Sequence, residues 1–136
     1  MLQLSYISTA RTGLTEADIA RILGSARRNN AQCRITGMLI HDGWRFLQAL
    51  EGDADSVEAA FARICADARH HAVAVLSRKA VAVREFGDWA MACHMVGETG
   101  DIGSMAATID ALTEPLPDAR TRDLFRSFAR VERRAA

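Results

Sequence analysis

Apolar and polar residues alternate along residues 2–9, with Leu2, Leu4, Tyr6 and Ser8 on one face and Gln3, Ser5, Ile7 and Thr9 on the other. That period of two predicts a β-strand. The period then lengthens: Ile19, Ile22, Leu23 and Ala26 recur at helical spacing and predict an amphipathic helix. Thr15 and Asp18 have the spacing of a capping box at its start. Asn29-Asn30 predicts its end, since asparagine readily closes helices. In ITGMLIHDGWRFLQALEG two apolar runs flank Asp42-Gly43, a strong hairpin signal because a type I′ turn needs positive φ at both central residues. After Gly52, an acidic start at Asp53, Asp55 and Ser56 opens a second helix with a buried stripe of Val57, Ala60, Phe61 and Ile64, ending near residues 67–71. Residues 72–76 form a short apolar run. Residues 86–96 alternate again, with Trp89, Met91, Cys93 and Met95 on one face.

The order β-α-β-β-α-β-β predicts an α+β, ferredoxin-like sheet with two helices packed on one face. Beyond Gly97 two further helical patterns follow, over residues 104–112 and, after Pro117, through Leu124, Phe125, Phe128 and Val131. We divide the chain into a domain over residues 1–97 and a C-terminal helical extension over residues 98–136. The last amphipathic helix needs a surface to cover, and the back of its own sheet is the expected one, ahead of another subunit.

Within the third strand, Gln48 shares a face with Trp44, Phe46 and Leu50. A buried amide without partners costs about 1–3 kcal/mol, so this residue calls for a bonding partner or an edge position with access to water. Tyr6 is either a core tyrosine whose hydroxyl reaches solvent or a functional one. Asn29 and Asn30 fit simple C-capping, and Trp89 and Met91 fit core residues of a strand.

Composition removes several classes of function. The 136 residues carry 17 acidic and 17 basic side chains, so nothing in the net charge favours a nucleic acid or an acidic membrane surface. Short basic clusters such as Arg27-Arg28 read as solvated helix faces. Cys33, Cys65 and Cys93 lie far apart without a CxxC, which suits a reducing compartment. With no signal-peptide pattern and no apolar run of membrane-spanning length, a cytoplasmic, soluble protein is expected. The adjacent His70-His71 lacks the spacing of a helical metal-ligand pair, so no metal site is expected. Neither GxSxG, GxGxxG nor a P-loop is present, which speaks against a hydrolase or a nucleotide-binding enzyme of those types.

Four segments nevertheless combine into a recognisable whole: YIS at residues 6–8, RRNNAQCRITGMLIHDGWRFLQALEG at residues 27–52, DARHH at residues 67–71 and EFGDWAM at residues 85–91. In this order and spacing the chain resembles a BLUF domain, the flavin-based blue-light sensor, from about Gln3 to Val96. The resemblance implies the same ferredoxin-like fold, with the isoalloxazine ring between the two helices. The cofactor would be FAD, or FMN or riboflavin in a recombinant host. Gln48 would hydrogen-bond the flavin around N5 and O4 as well as the Tyr6 hydroxyl. An amide suits such a bridge because it both donates and accepts. Asn30 would hold the polar edge of the ring, with Asn29 beside it. Arg69 would contact the pyrimidine side, His70 would line the ring and Asp67 would help fix that edge. Ile22, Leu39 and Phe46 would supply apolar walls.

By the same resemblance, blue light drives an electron and then a proton from Tyr6 through Gln48. The Gln48 amide is left rotated or tautomerised, the absorption band moves slightly to the red, and the change reverses in the dark without substrate turnover. Trp89 and Met91 would pass the change into the last strand. No effector domain fits in the residues after Met95, so the expectation is a short, stand-alone sensor that is not an enzyme. It would signal to an unidentified protein partner, or through the assembly of a homo-oligomer (a dimer or larger). The competing expectations are a ferredoxin-like interaction module without a functional flavin and a small acylphosphatase-like enzyme.

Overall fold

The computed structural model describes residues 1–41, 44–86, 92–95, 107, 109–111 and 113–129. Its elements follow the order β1 (Leu2–Ala10), α1 (Glu16–Gln32), β2 (Thr36–His41), β3 (Arg45–Gly52), α2 (Ala54–Cys65), β4 (His70–Ala80), β5 (Ala92–Met95) and, after a further segment, α3 (Ala119–Ala129). The five strands form one sheet in the order β4-β1-β3-β2-β5. The β1–β3, β1–β4 and β2–β3 pairs are antiparallel, and β2–β5 is parallel. The α+β arrangement expected from periodicity is thus present. The turn at Asp42-Gly43 lies outside the described residues, but its two strands pair as expected, His41 opposite Phe46.

The first helix opens on the anticipated capping box: the Thr15 hydroxyl accepts from Asp18 N, and the Asp18 carboxylate accepts from Thr15 N. Its end is a correction. The helix does not fade at Asn29-Asn30 but runs to Gln32 and closes in a Schellman motif. Ile35 N donates to Asn30 O at 2.8 Å and Arg34 N to Ala31 O at 3.4 Å, with Arg34 at φ +56°. An arginine in the left-handed region gives no sequence cue for a helix end, whereas the asparagine pair gave a false one.

The fourth strand is a second correction. It extends over eleven residues, not only the apolar run at 72–76. Among the described residues it is bonded to β1 alone, and it stays largely exposed, so its side chains show no clean alternation. Register shifts beside Ser5/Tyr6 and Ile7/Thr9 break its pairing with β1, and Ala72 takes a positive φ of 54°. Beyond β4, Phe86 is buried without belonging to a strand, and residues 87–91 and 96 lie outside the described residues.

Both faces of the sheet are covered, so every residue of β3 is buried, including Arg45 and Glu51. On one face Leu4, Leu39, Phe46 and Leu50 pack with Ile19 of α1 and Val57 and Ala60 of α2. On the other, Met38, Ile40, Leu47 and Ala49 pack with Phe86, Ile109, Leu116, Phe125 and Phe128. The last helix therefore covers the back of its own sheet, as its apolar stripe suggested; Val131 of that stripe lies outside the described residues. Gly37 is required in β2, because a Cβ there would collide with the carbonyl of Ala49.

Candidate functional site

Between α1, α2 and the front of the sheet lies a cavity of about 180 Å³. Strand alternation aims Tyr6, Leu39, Phe46 and Gln48 into its floor. Helix α1 contributes Ile22 and, two turns on, Asn29 and Asn30, and the segment after α2 contributes Asp67, Arg69 and His70. Trp89 and Met91 lie outside the described residues. All the other anticipated site residues line this one cavity. Five residues that face it were read from sequence as helix packing or passed over: Ala60, Arg63 and Ile64 of α2 and Ser25 and Ala26 of α1. Their spacing signal is the apolar stripe itself, which cannot distinguish a wall against a neighbour from a wall against a ligand.

Tyr6 and Gln48 are register partners across β1 and β3, and the Tyr6 hydroxyl donates to Gln48 Oε1. The question raised by a glutamine on an apolar face is answered in part by this bond. Burial pushes the Tyr6 phenol far above its ordinary pKa, and the nearby Cys65 and Asp67 push in the same direction. The phenol ring lies 5.5 Å from Phe61 and 6.4 Å from His70, centroid to centroid.

His70 is fixed at both nitrogens. Nε2 lies 2.6 Å from the Ile64 carbonyl, which can only accept, so Nε2 carries a proton. In the neutral ring Nδ1 then accepts from the buried Ser8 hydroxyl at 2.7 Å. Held this way, the imidazole meets the Phe46 ring edge-on at 6.0 Å. Arg69 and Asp67 form a closed pair: Nε reaches Oδ1 at 2.9 Å and Oδ2 at 3.0 Å, and the Arg69 backbone N–H donates to Oδ1 at 2.9 Å. These hydrogen bonds hold the Asp67 carboxyl below the usual carboxylate range and raise the Arg69 guanidinium.

One polar atom of the lining remains unpaired among the described residues. Asn30 is 4 % exposed, and its Nδ2 has no hydrogen-bond partner among the described residues. A buried donor without an acceptor is costly, so its retention facing a cavity indicates a ligand that accepts there. Apolar walls, one unspent amide donor and a tyrosine–glutamine pair suit a flat heteroaromatic ring with carbonyl acceptors on one edge. A flavin ring is such a group, and these residues fit it.

A family model for BLUF, sensors of blue-light using FAD, matches residues 1–92. The photoactivated adenylate cyclase subunit beta of Euglena gracilis is 33% identical over 130 residues, which is 95% of this chain but 14% of that protein. The dark-state structure of BlrB, a BLUF protein, superposes with a TM-score of 0.73 at 27% identity, covering 95% of each chain. Klebsiella pneumoniae BlrP1 with FMN and cyclic diGMP gives a TM-score of 0.78 at 27% identity, over 96% of this chain and 35% of that one. The chain therefore spans about a seventh of the cyclase subunit and nearly the whole of BlrB. Among the described residues no helix is long and apolar enough to cross a membrane. With the family model matching residues 1–92 and the fold shared with BlrB, the chain belongs to the BLUF family of blue-light sensors that use FAD.

Proposed function

We propose that this chain senses blue light through a flavin held non-covalently between α1 and α2, with Tyr6 and Gln48 as its photoactive pair. The observation that carries the reading is the hydrogen bond from Tyr6 to Gln48 on the floor of a cavity where Asn30 keeps an unspent donor. The bound flavin supplies the absorption of blue light and the electron acceptor. Asn30, Asn29 and Arg69 hold the polar edge of the ring, with Asp67 fixing Arg69 and His70 lining the ring. Ile22, Leu39 and Phe46 exclude water from it. Tyr6 would be the electron and proton donor, its proton passing through Gln48, the group its hydroxyl already touches, and both would return to Tyr6, so that no net redox change remains. Gln48 then re-forms its hydrogen bonds in a second arrangement, which is the signalling state.

In this reading residues 1–97 are the sensor and residues 98–136 carry the output. Trp89 and Met91 relay the change into β5, and α3 passes it to a cytoplasmic protein partner or to a homo-oligomeric assembly. The chain turns over no substrate. FAD is the expected cofactor. FMN is the alternative, and it accompanies BlrP1 in the structure named above. The test is an absorption spectrum of the purified protein in the dark and directly after blue light. A flavin spectrum that shifts slightly to the red and returns in darkness supports the reading. A colourless protein that takes up no added flavin overturns it in favour of a ferredoxin-like interaction module.

A further inference from the structure

Glu51 stands three residues beyond Gln48 on β3 and therefore on the opposite face of the sheet. It is fully buried, and its register partners are Gln3 of β1 and Thr36 of β2. The Thr36 hydroxyl donates to Oε1 at 2.8 Å, and the Gln3 amide donates to Oε2 at 3.2 Å. Each oxygen also accepts from a backbone N–H of the chain beyond β4: Phe86 N to Oε1 at 2.8 Å and Glu85 N to Oε2 at 3.0 Å. Only a carboxylate, with two oxygens that accept and none that donate, can take all four bonds. The Arg84 guanidinium lies beside it, joined to Thr36 Oγ1 at 2.9 Å and to the Glu51 carbonyl at 3.2 Å, and offsets the buried negative charge.

These bonds gather three parts of the molecule that are distant in sequence. The first is β3 itself, paired on both sides to β1 and β2, so that Gln48 and Glu51 move as parts of one element. The second is the chain entering the segment of Trp89 and Met91, which follow Phe86 by three and five residues. The third is α3. Its Thr121 Oγ1 lies 3.1 Å from Glu85 Oε2 and 3.5 Å from Gln3 Oε1, and Gln3 Nε2 bonds both Glu51 and Glu85. Lys79 closes the junction, reaching Glu85 at 3.1 Å and Thr121 at 3.2 Å.

We infer that Glu51 is a positioning residue of the light response: its two backbone bonds pin the chain at Glu85 and Phe86, and through Glu85 the start of α3, to the strand that carries Gln48. The inference rests on the photosensory reading above and adds to it the residue that carries a displacement of β3 across the sheet. Hydrogen bonds to a buried carboxylate are strong and short-ranged, so the junction holds its partners at fixed distances from β3 and transmits a shift of that strand. With either backbone bond broken, Gln48 still rearranges beside the flavin, but α3 no longer follows.

The test follows two signals in the full, flavin-loaded chain: the red shift by absorption, and the difference in amide hydrogen exchange over residues 119–129 between continuous blue light and darkness. The unmodified chain should show both. Glu51→Gln keeps the side chain's size, but whichever way its amide is turned, one of the two backbone N–H groups meets an NH2 instead of an oxygen. That variant should keep the red shift, while the exchange difference in α3 falls about fivefold or more. Thr36→Val removes a donor to the same carboxylate and leaves both backbone bonds, so it should keep both signals. If Glu51→Gln fails to hold flavin, Thr121→Val cuts the junction at its α3 end and should lose the exchange difference in the same way. A full α3 response in Glu51→Gln or in Thr121→Val overturns the inference. So does an equal loss in Thr36→Val, or a red shift in the unmodified chain with no response in α3; each leaves the photosensory reading standing. Absence of any red shift in the unmodified chain overturns both.

Discussion

Tyr6 is the sole tyrosine of the chain, buried and bonded to one acceptor, Gln48 Oε1. Because burial raises its pKa, the folded protein holds the phenol neutral at pH values where the unfolded chain ionises, above about 10. The folded state then binds one more proton than the unfolded state, so stability falls as pH rises past that point. An alkaline titration of the apoprotein, followed by phenolate absorbance, should show no signal until the protein unfolds; a phenolate appearing in the folded state contradicts the buried environment. Gln48→Leu removes the only side-chain acceptor for the phenol among the described residues. That variant should bind flavin yet lose the red shift, read by difference spectra, and a normal shift would sink the role of Gln48. Asn30→Leu removes an unspent buried donor, so the apoprotein should keep its stability or gain about 1 kcal/mol in urea unfolding. Flavin affinity should fall tenfold or more in the same variant; unchanged affinity would release Asn30 from the site. At this scale much was legible, since Tyr6, Gln48 and Asn30 stand in recognisable segments and all line the cavity. Glu51 was not legible: it is fully buried and accepts from Gln3, Thr36 and the backbone N–H groups of Glu85 and Phe86. Its partners come from three distant stretches, and nothing in local spacing announces such a hub.

The elements follow their periodicity where burial is one-sided and depart from it elsewhere. Helix α1 begins where its capping box places it, because that signal is a local reciprocal bond. Its end depends on Arg34 taking a left-handed conformation, stabilised by two bonds back into the helix. A side chain there costs about 1–2 kcal/mol, of which glycine would return part after its own entropy of about 0.5–1 kcal/mol. Arg34→Gly should therefore raise stability by about 0.5 kcal/mol in urea unfolding, since the Arg34 carbonyl that Arg84 donates to is backbone and persists. A loss of stability would mean that the Arg34 side chain contributes more than its backbone strain costs. Strand β4 was under-read for a different reason: bonded among the described residues only to β1 and broken by register shifts, it lacks the buried alternation that marks a strand. Those shifts occur beside Tyr6 and Ser8, where β4 turns the His70 ring onto the Ser8 hydroxyl.

On the scale of the molecule, one sheet separates two cores, and the same strands serve both. Gln48 faces the cavity while its neighbours Leu47 and Ala49 face α3, so any shift of β3 along its axis is felt on both sides. Polar contacts fasten α3 near its two ends. Lys79 bonds Asp118 and Thr121, and Thr121 donates to Glu85 at 3.1 Å. At the other end the Arg45 guanidinium lies 4.4 Å from the Phe128 ring and donates to the Phe128 carbonyl at 3.3 Å. A separate appendage would unfold in its own transition. A helix built into the back core should unfold with the sheet. Phe125 decides between these, being fully buried against Phe86 at 6.2 Å. Phe125→Ala should cost about 3–5 kcal/mol, a large share of the roughly 5–15 kcal/mol that stabilises a domain. Followed in urea by both far-ultraviolet circular dichroism and flavin release, the variant should show a single transition at a lower midpoint, identical by the two probes. If flavin release keeps its original midpoint while helix signal is lost early, the sensor stands without α3, and the two cores are energetically independent. A shared midpoint instead means that the cavity and the helix report on one cooperative unit, the condition under which a rearrangement at Gln48 can alter what α3 presents to a partner.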